Sequence, residues 1–270
     1  MGHWLTKWIS GRALGAALPT SPEAEGEGEL KSFWDHLDDL RGTLWKSIVA
    51  VAVAFLIALA FANRILGVLT NPLRKVTSHP ENFLQSLNVT DSFVLSMKIA
   101  LYAGLIIAAP AICYFLGQFI LPALRPKEKR LMWPAFAWGT LLFLAGCATC
   151  FFLIVPQTLR AFIQASRWLG IEPRWTIESY IGFITQFVLM CGLTFEIPLV
   201  VVILVRLGVI GYQTVRKGRR ILIFIAFAIA SFLAPPDPLS MVLMALPLVA
   251  LFEVAIWLSW FAELRRQANG

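Results

Sequence analysis

Tyr180–Val205 reads YIGFITQFVLMCGLTFEIPLVVVILV, an unbroken apolar run that carries a single carboxylate, Glu196. A helix needs roughly 20 predominantly apolar residues to cross about 30 Å of hydrocarbon, and this run exceeds that length. Similar runs lie on either side of it at Leu44–Val68, Ser96–Leu121, Leu131–Val155 and Leu239–Trp260. A shorter one, Ile221–Ala234, stops at Pro235 and implies a locally thinned bilayer or shielding by neighbouring helices. The expected fold is therefore all-α, a polytopic membrane protein with six transmembrane helices. A β-barrel is excluded, because its strands would alternate apolar and polar residues over about ten positions.

Composition agrees with that reading. Of 270 residues, 58% are hydrophobic and 14% charged, and the mean hydropathy is +0.73. Soluble domains run about 45–50% apolar and about 25% charged; a water-facing surface this apolar would carry large exposed patches. The net charge of +7 raises nucleic acid as a partner, but its distribution excludes that class. Most Lys and Arg gather before the first span, between the second and third, between the fourth and fifth, and at the C-terminal end. Arg64, Arg74, Lys75, Lys98, Arg160, Arg167 and Arg174 fall on the other side. By the positive-inside rule both termini are then cytoplasmic, in the inner membrane.

Cys113, Cys147, Cys150 and Cys191 all fall in spans. The CxxC spacing of Cys147 and Cys150 has no βαβ context, so packed apolar thiols are expected. No cleavable signal peptide is expected, since Arg12 interrupts the apolar positions Trp4, Leu5, Trp8 and Ile9. Those positions suit an amphipathic segment on the membrane surface, and Pro19–Glu29 reads as a flexible linker. The chain thus divides into an N-terminal extension (1–32), a membrane domain (33–260) and a cytoplasmic tail (261–270). Two long outer connections, Leu69–Leu95 and Pro156–Ser179, are too apolar for free linkers and are expected to cap the outer ends. Pro235-Pro236-Asp237-Pro238 makes the last two helices a tight hairpin. Pro110, Pro198 and Pro247 lie inside spans, where proline removes a donor and kinks a helix; a kinked, concave bundle is expected. No internal repeat of the kind found in inverted-repeat transporters is evident.

No phosphate loop and no HExxH helix occurs, and His3, His36 and His79 are scattered outside the spans. Enzymatic activity is not expected, nor is any cofactor. Three acidic positions remain: Asp38-Asp39 just before the first span, Glu128 in the first cytoplasmic loop, and Glu196. Acids at a helix entry suit the macrodipole, and Glu128 has basic neighbours to solvate with. Glu196 is different. A carboxylate at the bilayer centre costs about 2.5–3.5 kcal/mol even on insertion scales and faces a partner or a cavity. Glu253, nearer the cytoplasmic boundary, reaches water more easily. An acid inside six spans also fits a proton-coupled small-molecule transporter, although Gln118, Gln186 and a few hydroxyls make a sparse solute path.

Five short pieces carry a resemblance. They are His36-Leu-Asp-Asp-Leu-Arg41, Leu121-Pro-Ala-Leu-Arg-Pro-Lys-Glu-Lys-Arg130, Phe195-Glu-Ile-Pro198, Pro235-Pro236-Asp237 and Leu246-Pro-Leu-Val-Ala-Leu-Phe-Glu253. Together, in this order and spacing, they resemble the TatC family, the membrane receptor of the twin-arginine protein translocase. The resemblance implies a protein that binds twin-arginine signal peptides of folded cargo and assembles with TatA/TatB-type single-span partners and further copies of itself. Export would then be driven by the proton gradient. It also implies that Asp39 and Glu128 receive the signal arginines; Arg41 beside them is a further candidate there, and Glu196, Asp237 and Glu253 are candidate intramembrane polar or partner contacts. Two guanidiniums favour structured, exposed carboxylates that can pair bidentately. The family usually has Glu where Asp39 stands, one methylene longer. Polar residues that some relatives use to hold partner helices are Ala234 and Met241 here.

Overall fold

The computed structural model describes residues 22–77, 83–120, 126–233 and 238–268; the side chains of residues 22–36, 126–133, 233, 239 and 261–268 lie outside that description. In chain order the helices are α1 (Pro22–Ala60), α2 (Ala62–Leu69), α3 (Asn71–Arg74), α4 (Asp91–Ile120), α5 (Pro126–Thr149), α6 (Val155–Trp168), α7 (Ile177–Arg206), α8 (Tyr212–Lys217), α9 (Arg219–Leu233) and α10 (Pro238–Ala268). Two short strands, β1 (Leu84–Gln85) and β2 (Trp175–Thr176), complete the described elements. Met1–Gly42 and Thr43–Gly270 are separate compact units, and within the first the residues from Pro22 onward are helical.

Among the described residues five helical stretches are long and apolar enough to cross a membrane: Leu37–Ala60, Asp91–Ile120, Pro134–Trp168, Ile177–Arg206 and Ser240–Trp260. The remaining apolar helix, α9, has 15 residues, which at 1.5 Å per residue is about 22 Å, short of the hydrocarbon thickness. The helices run through Pro110, Pro198 and Pro247 without interruption.

Two local expectations need correction. The stretch read as a linker is helical from Pro22: proline suits the first helical position and Glu is a good helix former. The third span does not end at Val155, because α6 carries its helix on through Pro156 to Trp168. Pro156 has no N–H for the carbonyl of Phe152 and its ring would crowd that oxygen. A π-helical turn at Cys150–Ile154 widens the ladder just there, so the helix passes the proline instead of ending.

The two long connections do meet. β1 and β2 pair in parallel, Leu84 opposite Trp175 and Gln85 opposite Thr176, and the Trp175 amide donates to the Phe83 carbonyl at 2.8 Å. Phe83 and Trp175 pack edge to face at 5.9 Å, while Tyr180 stacks on Trp175 and donates its hydroxyl to the Leu69 carbonyl at 3.1 Å. Buried Asp91 fixes the entry to α4, accepting from the Leu87 and Asn88 amides at 2.9 and 3.0 Å, from Ser86 Oγ and from Asn88 Nδ2. Without these bonds its carboxylate would be a costly buried charge.

The core forms around α7, whose Ile181, Ile184 and Cys191 are fully buried. Small residues set the closest approaches. A Cβ at Gly192 of α7 would lie 2.6 Å from Cys147 Sγ, one at Gly146 of α5 2.7 Å from Phe195 Cγ, and one at Gly104 of α4 2.9 Å from Phe55 Cα. Backbone proximity of this kind is how helices associate in lipid, where no hydrophobic drive operates between them. The buried face of α1 is similarly small, Ala54 and Ala58, while Leu44, Trp45, Ile48, Val53 and Leu56 are exposed and suit lipid. Cys147, Cys150 and Cys191 are buried and Cys113 half-buried, all as free thiols.

Candidate functional site

Asp39 and Arg41 lie on α1 at the start of its apolar stretch, and both are exposed. Residues two apart on a helix do not face each other, and no ion pair or hydrogen bond engages either side chain among the described residues. Glu128 is the third residue of α5, behind Pro126. A proline at the first position and an acid in the first turn both suit a helix N-terminus; its side chain lies outside the described residues. So do Asp237, between α9 and α10, and Ala234. Met241 packs against the main core.

Glu196 sits on α7 about 15 Å along the axis from Arg206, at 1.5 Å per residue, which is half the hydrocarbon thickness. Its Oε1 is buried and has no hydrogen-bond partner among the described residues. The absent side chain at Gly139 of α5 makes the room: a Cβ there would lie 3.1 Å from Glu196 Oε2 and 3.4 Å from Oε1. Cys113 of α4 and Thr140 of α5 border the same spot, but Thr140 gives its hydroxyl to the Phe136 carbonyl at 3.2 Å. An unmatched buried acceptor costs about 1–3 kcal/mol, so this recess has an unmet polar requirement in a region otherwise lined by apolar groups.

Glu253 has an internal partner. Arg219 Nε, at the start of α9, donates to Glu253 Oε1 at 2.5 Å, with the Arg side chain 59% and the Glu side chain 27% exposed. Hairpin arithmetic could have found this pair: the two residues stand nearly equidistant from the turn that joins α9 to α10. Sequence reasoning also missed the ion pair of Lys98 on α4 with Glu178 on α7, and the buried bond from Ser240 Oγ to Thr158 Oγ1 at 2.8 Å. Neither pair has a local sequence signal, because each joins helices far apart in the chain. No cluster of three metal-ligating side chains exists among the described residues.

Long apolar helices whose chemistry is concentrated in a few acids define an integral membrane protein. Its family follows from comparison: the profile described as Sec-independent protein translocase protein (TatC) matches residues 35–247. The chain belongs to the TatC family, whose members are components of a protein translocase. It is 41% identical over 180 residues to the Sec-independent protein translocase protein TatC of Akkermansia muciniphila, which is 66% of this chain and 52% of that protein. The matched stretch therefore spans about half of that relative. The corresponding protein of Aquifex aeolicus is 35% identical over 234 residues, 86% of this chain and 96% of that one. A crystal structure of the twin-arginine translocase receptor TatC superposes with a TM-score of 0.71 at 36% identity, covering 84% of this chain and 99% of that one.

Proposed function

We propose that this protein is the core receptor of a twin-arginine translocase in the cytoplasmic (inner) membrane, with six transmembrane helices and both termini in the cytoplasm. Asp39 and Glu128, with Arg41 nearby, receive the arginine pair of signal peptides on folded cargo. TatA/TatB-type single-span proteins and further copies of this chain complete the complex, and the proton gradient drives export. Glu196 receives a polar group of a partner helix or of an inserted signal hairpin, and Asp237 and Glu253 add polar contacts toward opposite ends of α9 and α10. The observation that carries this reading is the exposed, unengaged pair Asp39 and Arg41 at the entry to the first span, in a chain of this family. The direct test is capture of the purified protein by a twin-arginine signal peptide against its Lys-Lys version. Equal capture by the two would overturn the receptor reading, since two ammonium groups lack the planar fork of guanidinium.

Orientation has its own test. Cysteines at Thr77 and Arg174, in a background without the four native thiols, should react with an impermeant reagent in intact cells. A cysteine at Lys217 should react only after permeabilisation. Labelling of Lys217 in intact cells would reverse the assigned topology.

For Glu196 the expected result is graded. Interhelical polar contacts in membranes average about 0.6 kcal/mol, so one contact tunes coupling and does not decide assembly. Glu196→Ala should insert, accumulate and bind signal peptide, but transport less and crosslink less to a partner helix; Glu196→Gln, which keeps shape and an acceptor, should be milder. Loss of the protein from the membrane would mark Glu196 as a stabiliser of the fold, and full transport by the Ala variant would remove it from the mechanism.

A further inference from the structure

We propose that a depression where α3 meets the π-helical turn holds one anionic glycerophospholipid, its phosphate against Arg74 and Lys75 and an acyl chain along α2 and α4. Two cavities make up this depression. One, of about 350 Å³, is lined by Asn71, Arg74, Lys75 and Pro156 together with Val68, Phe151 and Phe152. The other, of about 310 Å³, continues from the same Val68, Phe151 and Phe152 to Ala103, Ile106 and Ile107 of α4. The depression is thus basic at one end and apolar at the other, the polarity of a lipid lying along a protein.

Charge and position select this occupant. No acidic residue lines either cavity. Arg74 and Lys75 are exposed, and among the described residues no carboxylate pairs with either. The Lys75 ammonium lies against the face of Phe152, its Nζ 5.8 Å from the ring centroid, which turns it toward the depression. The basic end follows directly on the first apolar span and α2, whose Ile65, Leu66 and Leu69 pack on the core while Arg64 stays exposed. That places Arg74 and Lys75 at headgroup depth, where a guanidinium and an ammonium can make charge-assisted hydrogen bonds to a lipid phosphate. Size argues against a protein helix: single small-molecule sites run about 300–1,000 Å³, whereas a spanning helix about 30 Å long and about 10 Å wide would overrun the depression.

The inference needs only that α4 crosses the membrane, so it stands or falls apart from the receptor reading. The experiment is native mass spectrometry of the full chain in detergent with dioleoylphosphatidylglycerol, dioleoylphosphatidylcholine or glycerol 3-phosphate. One phosphatidylglycerol should be retained in preference to phosphatidylcholine, and free glycerol 3-phosphate should not displace it. Arg74→Ser with Lys75→Ser should lower phosphatidylglycerol retention about tenfold and lower phosphatidylcholine less, because the choline charge already offsets that lipid's phosphate. Ala103→Leu, which narrows the apolar limb, should weaken both lipids. Arg74→Glu with Lys75→Glu, again at exposed positions, should abolish the preference. Equal retention of the two lipids by the unmodified protein, or undiminished phosphatidylglycerol on either double variant, would overturn the assignment. So would finding a second copy of the chain in place of lipid.

Discussion

Gly192→Val should fail to accumulate as folded protein, or should unfold far below the unmodified chain in detergent. The α5–α7 contact has no slack at this position: a Cβ would meet Cys147 Sγ at 2.6 Å and the Phe143 ring at 2.9 and 3.1 Å. Both neighbours are buried, so neither can swing into lipid. Overpacking costs typically about 1–3 kcal/mol, and a β-branched side chain has few rotamers on a helix with which to escape. Gly146→Val should behave alike, since its Cβ would strike Phe195 and approach the Gly192 backbone at 3.1 Å. Gly67→Ala and Gly182→Ala, with nothing within 4 Å, should not lower the midpoint and should report the generic gain of about 0.5–1 kcal/mol from replacing a helical glycine. Removing Cys147 Sγ by Cys147→Ala should recover part of the loss in Gly192→Ala. A Gly192→Val protein that melts with the unmodified chain would show that the two helices part more readily than their packing implies.

The membrane fold is legible in the sequence because spanning helices follow from length and hydropathy alone: the run Tyr180–Val205 falls within α7, and α4 covers Ser96–Ile120 of the run that begins at Ser96. Glu196 is legible for the same reason, as a cost with no local compensation. What escapes is whatever depends on how one helix faces another. The third span is expected to end at Val155, yet the helix passes Pro156 through a π turn, because a proline obstructs one carbonyl and not the chain's direction. Glu253 reads as a free acid until α9 is laid antiparallel to α10, when Arg219 arrives beside it. The parallel pairing of Leu84 with Trp175 joins two connections that composition marks only as too apolar to be loose. The roles of Gly139, Gly146 and Gly192 are invisible for a related reason: a glycine in an apolar run matters through its neighbour across the interface.

Neutralising Asp39 and Glu128, the two acids proposed to receive the signal arginines, should cost the protein its preference for twin-arginine signals. Exposed ion pairs are individually worth only about 0–1 kcal/mol, and at that strength a single change would barely register. A guanidinium that donates to a structured carboxylate and is partly shielded by the bound peptide is worth about 1.5–3 kcal/mol. At the lower figure, Asp39→Asn or Glu128→Gln alone should weaken binding about tenfold, since about 1.4 kcal/mol is one decade. If each acid takes its own arginine, the effects add, and the double variant should bind about a hundredfold more weakly, near the level of a Lys-Lys peptide. Asp39→Glu separates charge from reach: the longer carboxylate keeps the interaction, so binding should hold within a few-fold. Added salt should weaken the unmodified protein by screening and weaken the double variant far less, because its attraction no longer depends on these charges. Titrating labelled signal peptide onto each variant at two ionic strengths measures all of these at once. Wild-type affinity in the double variant, with its salt dependence intact, would move the arginine site away from Asp39 and Glu128 altogether.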